Sequence, residues 1–491
     1  LLSFSAGFIV RPFGAVVFGR LGDRIGRKYT FLATIVLMGA STFLVGILPT
    51  YDTIGIAAPI ILITMRLLQG LAVGGEYGGA VIYVAEHAPP GRRGFFTAWI
   101  QTSATASLIL ALVVVLVTRM ILGEASFAAW GWRIPFLLSV ILLGASIWIR
   151  MRLHESPIFE RMRSEGRASK APLKESFGNW SNLKIVFSAL FGLIAGFGVI
   201  WYTAQFYVLL FLMQTLKIEP VTANLLFIVT LVLGLPCFIF FGALSDRIGR
   251  KWLVFSGIAL AALAFFPTFK ALTHFGNPAL ERALANSPVV VSADPDECHF
   301  QFNLTGTSKF TTSCDIAKSR LVALSVAYAS EPAAKGAPAV VRVGDVAVQM
   351  ADLKGKTPAE IDVAGKAFGA ELTAAIQKAG YPAKADPADV NKPMIVLLSF
   401  LLVLCLTMAY GPVAAMLVEL FPARIRYSSL SLPYHIGTGW FGGLAPTIAF
   451  ALVAWTGDIY YGLWFPVIVA GATAVIGTIL IKETKDVDIS K

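Results

Sequence analysis

Gly19-Arg-Leu-Gly-Asp-Arg-Ile-Gly-Arg-Lys28 returns as Gly242-Ala-Leu-Ser-Asp-Arg-Ile-Gly-Arg-Lys251, identical at eight of ten positions at an offset of 223 residues. A fainter echo follows each copy. Glu86, Pro89 and Arg93 match Glu419, Pro422 and Arg426 at an offset of 333. Repeats of this kind mark a duplicated chain. The offset grows by 110 residues between the two pairs, so a segment of that size is inserted in the second copy. Each basic decapeptide lies between two long apolar runs, and those runs decide the fold class.

Runs near 1–18, 29–48, 57–85, 95–118, 131–150, 185–213, 221–242, 252–273, 393–418, 429–454 and 459–481 are apolar over about 20 residues, enough to cross a bilayer as helices. They are continuous rather than alternating at period two, which excludes a transmembrane β-barrel. The basic connectors Arg20–Lys28, Arg92–Arg93, Arg150–Lys184, Arg247–Lys251 and Arg424–Arg426 fall on every second loop, which places them on the cytoplasmic side. With the first of these inside, Leu1 starts outside or within the membrane. An odd count of 11 spans then predicts that a preceding helix is absent.

The composition agrees. Of 491 residues, 56% are hydrophobic and 14% charged, against roughly 25% charged in a soluble domain. This excludes a soluble enzyme, a disordered chain and a disulfide-rich secreted domain. The net charge of +11 does not point to nucleic acid. Residues 270–392 hold 13 basic and 13 acidic side chains, so the whole surplus lies in the short loops between apolar runs. That is a topological signal.

The expected organisation is a truncated N-terminal helical bundle over 1–150, a cytoplasmic linker over 151–184, and the first part of a C-terminal bundle over 185–273. An inserted domain follows on the periplasmic face over 274–392, then the rest of the bundle with a short cytoplasmic tail over 393–491. Residues 270–392, which contain the insert, are 21% charged (26 of 123 residues) against 12% elsewhere (43 of 368). Short β-like pieces, Val289–Val291 and Ala339–Val343, alternate with a helical pattern over Pro358–Ala379, which reads as a small α/β or α+β domain. Cys298 and Cys314 lie within it and can form a disulfide in an oxidising compartment. Asn303-Leu-Thr305 fits a glycosylation acceptor, a motif with a high false-positive rate.

The repeated loops, Arg66-Leu-Leu-Gln-Gly-Leu-Ala-Val-Gly-Gly-Glu-Tyr-Gly-Gly-Ala80, Glu86-His-Ala-Pro-Pro-Gly-Arg-Arg-Gly94 and Arg11-Pro-Phe-Gly14 together resemble the major facilitator superfamily, and within it the metabolite:proton symporter family. The resemblance covers the chain outside the insert. It implies an all-α membrane protein of two pseudo-symmetric six-helix bundles around a central cavity, working by alternating access. It also implies that the first helix is missing, and that Arg66 takes part in proton coupling with an acidic residue on that helix.

Residue chemistry adds the candidate site. Asp23, Arg24 and Arg27, and their repeats Asp246, Arg247 and Arg250, form charged loops at the cytoplasmic mouth. Their Asp can pair with Arg or accept bonds from a neighbouring helix N-terminus, latching a gate. Arg66 stands 20 residues before Glu86, about 30 Å of helix, and so lies within the membrane, as does Glu76. Intramembrane charge is costly and marks a solute or proton path. Arg11 either meets an anionic substrate or snorkels to headgroups. Gln69, Tyr77, Tyr202, Gln205 and Tyr410 are cavity candidates. His435 and Trp440 read as packing or interface residues, and Gly70, Gly74 and Gly78 as a close helix contact.

No phosphate-binding G-x-x-x-x-G-K-[ST] loop, metal-spaced Cys/His set or nucleophile–base pair is present, so neither a cofactor, a metal nor an enzymatic activity is expected. Gly437-Thr-Gly-Trp-Phe-Gly442 matches a dinucleotide motif but lies in an apolar run with no preceding strand. The expected function is proton-coupled symport of a small polar metabolite, an organic acid first, across a bacterial inner membrane by a monomer. A zwitterion such as proline or betaine is the alternative substrate. A sensor that binds ligand in the insert is the alternative class, disfavoured because the inner loops and tail carry no output module.

Overall fold

The computed structural model describes residues 2–152, 154–167, 169–299 and 310–490; Asn303–Thr305 lies outside them. A 24-residue helix, α1 (Leu2–Ile25), is followed by α2 (Arg27–Gly46), α3 (Ala57–His87), α4 (Arg93–Gly131) and α5 (Arg133–Arg152). Short linker helices Pro157–Ser164 and Pro172–Phe177 lead to α6 (Trp180–Thr215), α7 (Pro220–Ile248) and α8 (Lys251–Gly276).

Among the described residues ten helices, α2 onward with those named below, are long and apolar enough to span a bilayer. The sequence gives 11. The eleventh apolar run, near 1–18, falls in α1. It still packs along α3. Side chains added at Gly70 or Gly74 would strike the α1 backbone at Gly7 and Arg11, so the small residues bring these two helices into backbone contact.

Between the membrane helices the chain folds as α9 (Pro278–Asn286), β1 (Val289–Ala293), α10 (Ser313–Ala323), β2 (Ala329–Pro332), β3 (Val340–Val343), β4 (Val346–Gln349) and α11 (Pro358–Lys378). It returns to the bundle as α12 (Lys392–Leu420), α13 (Ala423–Thr456) and α14 (Tyr461–Leu480). The sheet order is β2-β1-β3-β4, with β1 parallel to β2 and the other pairs antiparallel. Val291 lies opposite Val341, and both are buried, as are Val289 and Val343. These side chains stand on one face by the period-two rule. Phe368, Leu372, Ala375 and Ile376 of α11 are buried at helical spacing and cover the sheet. Thr357 and Glu360 cap that helix reciprocally.

The insert begins where α8 ends, and α8 starts at a basic turn, so the two lie at opposite ends of the bundle. It is not loosely tethered. One continuous apolar core runs from α6 and α12 through Leu216 and Ile218 into Leu280, Val291 and Leu321. The Tyr328 amide donates to the Gly457 carbonyl (3.1 Å), the Ala385 amide to the Lys217 carbonyl (3.1 Å) and the Ser325 hydroxyl to the Gln214 carbonyl (2.6 Å). Cys298 and Cys314 are joined by a disulfide across 16 residues of sequence. A loop of that length implies about 3 kcal/mol of chain-entropy stabilisation. Cys298→Ser with Cys314→Ser is therefore expected to loosen the insert, seen as faster hydrogen exchange in α10 with α2–α5 unchanged. Equal exchange in α10 would contradict this.

α1 of the first half packs against α13 of the second, and α4 packs against α7. These two seams define the surface between the halves.

Candidate functional site

At one end of the seams, the repeated loops build two copies of one buried charge cage. In the first, the Glu86 carboxylate meets Arg27 at 3.1 Å and Arg426 at 2.9 Å and accepts from the Ser156 hydroxyl. Glu155 accepts from the backbone amides of Arg27 and Lys28, both at 3.2 Å, at the start of α2. In the second, Glu419 meets Arg250 at 2.8 Å and Arg93 at 3.5 Å and accepts from Thr484 at 2.8 Å. Glu483 accepts from the amides of Arg250 (2.9 Å) and Lys251 (3.0 Å) at the start of α8. Gly26 and Gly249 make the preceding turns at φ 116° and 102°, where a side chain would be strained and would collide with Glu155 or Glu483.

Each cage is closed from the opposite half. Asp23 on α1 accepts from the amides of Tyr427 (3.2 Å) and Ser428 (2.9 Å) in α13. Asp246 on α7 accepts from the amides of Gly94 and Phe95, both at 2.8 Å, in the first turn of α4. A carboxylate at those amides satisfies donors that have no partner within their own helix and meets the positive end of the dipole. Arg426 reaches across to Glu86 and Arg93 to Glu419, completing four links between halves. Of the predicted loop residues, Asp23, Arg27, Asp246 and Arg250 are thus brought together, Arg250 also pairing with Asp246 at 3.1 Å. Arg24 and Arg247 stay exposed outside the cages.

Glu155 and Glu483 are site residues that the sequence reading passes over. Their signal is the pair Glu155-Ser156 and Glu483-Thr484, repeated at an offset of 328. Burial works to raise the Glu483 carboxyl, but the amides of Arg250 and Lys251 hold it below the ordinary glutamate value. A depressed carboxylate contributes stability above its unfolded pKa, and that contribution is lost as pH falls through the folded one. Glu483→Gln is therefore expected to lower the melting temperature at neutral pH, with the gap to the parent closing in acid. A pH-independent gap would contradict the role of the charge.

Midway along the seams lies a polar and aromatic cluster drawn from both halves. Tyr77 of α3 stacks on Tyr434 of α13 with centroids 3.6 Å apart, and Tyr434 shares a hydrogen bond with Tyr410 of α12 at 3.0 Å. Gln101 donates to the Tyr77 hydroxyl (2.8 Å), and Gln205 donates to Thr105 (3.2 Å). Arg11 donates to the Tyr202 hydroxyl at 3.3 Å and lies over the Phe8 ring. Gln205 and its neighbours sit in the π-helical turn Thr203–Tyr207, and a second π-turn, Ile436–Gly442, follows His435. Such turns widen a helix and frequently mark functional sites. Among the described residues, several polar atoms here are buried without a hydrogen-bond partner: Gln101 Oε1, Gln205 Oε1, Arg11 Nε, Trp201 Nε1 and both ring nitrogens of His435. Buried polar atoms are nearly always paired, so this concentration singles out the cluster.

The structure places Gln69 elsewhere, between Arg66 (2.9 Å) and Thr42 (3.0 Å). Arg66 is half-buried near Phe136, and among the described residues it meets no carboxylate at ion-pair distance. Glu76 pairs with Arg150 of α5 at 3.3 Å rather than with Arg66. Ten residues of helix leave the two about 80° apart in azimuth, and α5 supplies the nearer cation. Trp440 donates to the Ile9 carbonyl at 3.3 Å, another link between halves. Among the described residues, no group of His, Cys, Asp and Glu could hold a metal ion.

Residues 1–185 match the family model described as Sugar (and other) transporter. The shikimate transporter of Escherichia coli (strain K12) is 37% identical over 276 residues, covering 55% of this chain and 61% of that protein. The proline/betaine transporter of the same organism is 36% identical over 283 residues, covering 55% of each. The chain spans little more than half the length of the curated relatives that it matches. The structure of the proton:xylose symporter XylE, of the major facilitator superfamily, bound to 6-bromo-6-deoxy-D-glucose, superposes with a TM-score of 0.62 over 99% of this chain and 86% of that one, at 16% identity. The proteins similar to this chain are transporters, not enzymes. With its duplicated helical halves, this multi-pass chain shares the fold of a symporter of the major facilitator superfamily, and its first 185 residues are similar to the sugar and other transporter family.

Proposed function

We propose that the chain is a proton-coupled secondary transporter of a small polar metabolite, working by alternating access as a monomer. The observation that carries this reading is the cluster between the halves, where buried donors and acceptors of α1, α4, α6 and α13 have no hydrogen-bond partner among the described residues. A solute seated there would meet the Arg11 guanidinium, the Gln101 and Gln205 carbonyls and the His435 imidazole. The charge cages are then the cytoplasmic gate, shut in this conformation. An organic acid is the first substrate, because Arg11 is an intramembrane cation with no carboxylate at ion-pair distance among the described residues. The likeness to a proline/betaine transporter favours a zwitterion as the second. Both would place a carboxylate at Arg11. Arg66 and Glu76 are assigned to proton coupling.

The test is uptake by vesicles holding the full-length protein, offered labelled shikimate, proline or betaine with and without an inward proton gradient. Gradient-stimulated uptake of one of them is expected, and Arg66→Gln should abolish the stimulation while leaving substrate exchange. Uptake of none, or uptake indifferent to the gradient, would overturn the reading.

A further inference from the structure

Where the insert rests on the second half, two cavities meet. The first, of about 770 Å³, is apolar and lies between the outer ends of α6 and α13 and the α10 helix of the insert. Leu209, Leu210 and Phe450 line it from the membrane helices, and Val322, Ala323 and Val326 from the insert. The second, of about 510 Å³, lies just beyond the end of α6 and is of mixed character, lined by Lys217, Lys384, Glu219, Gln377 and Tyr381 among others. Gln214 and Ala323 line both, so the two are neighbouring chambers of one crevice. Polarity changes along it in the sense of the membrane normal: the apolar chamber borders the spans, and the lysines stand at the outer interface.

The cation at the junction is held in place without being neutralised. Lys217 has a left-handed backbone at φ 54°, a conformation that is costly for a non-glycine residue and that clusters at ligand-binding sites. Its ammonium donates to the Pro382 carbonyl at 3.3 Å. Among the described residues neither Lys217 nor Lys384 has a carboxylate within ion-pair distance; Glu219, which lines the same chamber and feels the Lys384 charge, is committed to the amides of Val221 and Thr222 at the start of α7. Half-burial lowers the Lys217 pKa through desolvation, and an anion beside it would oppose that cost.

We propose that this crevice binds an anionic amphiphile, a long-chain carboxylate or an anionic phospholipid. Its aliphatic chain fills the apolar chamber and its head group lies between Lys217 and Lys384. An apolar chamber of this volume accepts an acyl chain, whose burial out of water is favourable, and the two lysines select the charge. The occupant would bridge the insert to α6 and α13, making the insert a lipid-contacting element of the second half.

The experiment uses the full-length protein in detergent, titrated with oleate, dioleoyl phosphatidylglycerol or the neutral monoolein and read by native mass spectrometry. Saturable binding of one anion but not of monoolein is expected, and oleate against phosphatidylglycerol distinguishes the free acid from the phospholipid. Lys217→Gln with Lys384→Gln should weaken binding about tenfold or more. Ala323→Trp, which fills the junction from an exposed helix position, should block it with the melting temperature retained. Equal binding of monoolein, no saturable binding of either anion, or affinities indifferent to both variants would overturn the proposal.

Discussion

Replacing Glu86 with glutamine is expected to cost the folded protein about 3–5 kcal/mol, the range for removing one partner of a buried ion pair. Glu86 is fully buried, and its two partners, Arg27 and Arg426, are each 1% exposed. Neither has another carboxylate at ion-pair distance among the described residues, so both would remain as buried charges opposed only by the more distant Asp23. The repeat supplies an internal control. In Glu419→Gln the Arg250 guanidinium keeps Asp246 at 3.1 Å, and Arg93 is only partly buried. The loss should therefore be smaller. Melting temperatures of the two variants in the same detergent give the comparison. An Glu86→Gln variant as stable as the parent, or less harmful than Glu419→Gln, would contradict the assignment.

The second large effect concerns movement rather than stability. Asp23 and Asp246 each hold two amides of the opposite half, and a cap of this kind is typically worth about 1 kcal/mol. Removing both, as Asp23→Ala with Asp246→Ala, should shift the balance away from the closed cytoplasmic mouth by about tenfold or more, since 1.4 kcal/mol is a factor of ten. Gradient-driven uptake should fall accordingly, while the melting temperature changes less than in Glu86→Gln because no buried arginine is orphaned. Full uptake in the double variant would show that these carboxylates hold helix ends and do not gate.

Much of this was legible in the sequence for a physical reason. Lipid leaves the backbone few options, so apolar length and loop charge specify helices and sides, and the near-identical loops at 19–28 and 242–251 expose the duplication. The pairings were less accessible. That Asp23 serves α13 and Asp246 serves α4 depends on how the halves pack, which no spacing encodes. Glu155 and Glu483 were passed over because a lone Glu-Ser or Glu-Thr carries no signal until it is placed against its repeat. His435 reads as a packing residue in sequence, and only the structure places both of its nitrogens in a buried setting without partners. The continuity of the insert with the C-terminal core was equally hidden, since its composition marks it as a separate, soluble unit while Leu216, Ile218 and Tyr328 join it to the bundle.

The central claim is that the two halves part at the cytoplasmic mouth when the cages break. Nitroxide labels at Arg152→Cys and Trp252→Cys, exposed positions at helix ends in opposite halves, can report it by double electron–electron resonance once Cys237 and Cys405 are replaced by alanine. The account predicts a distance distribution in the parent that moves to longer distance in Asp23→Ala with Asp246→Ala. The same distance distribution in both proteins would contradict it.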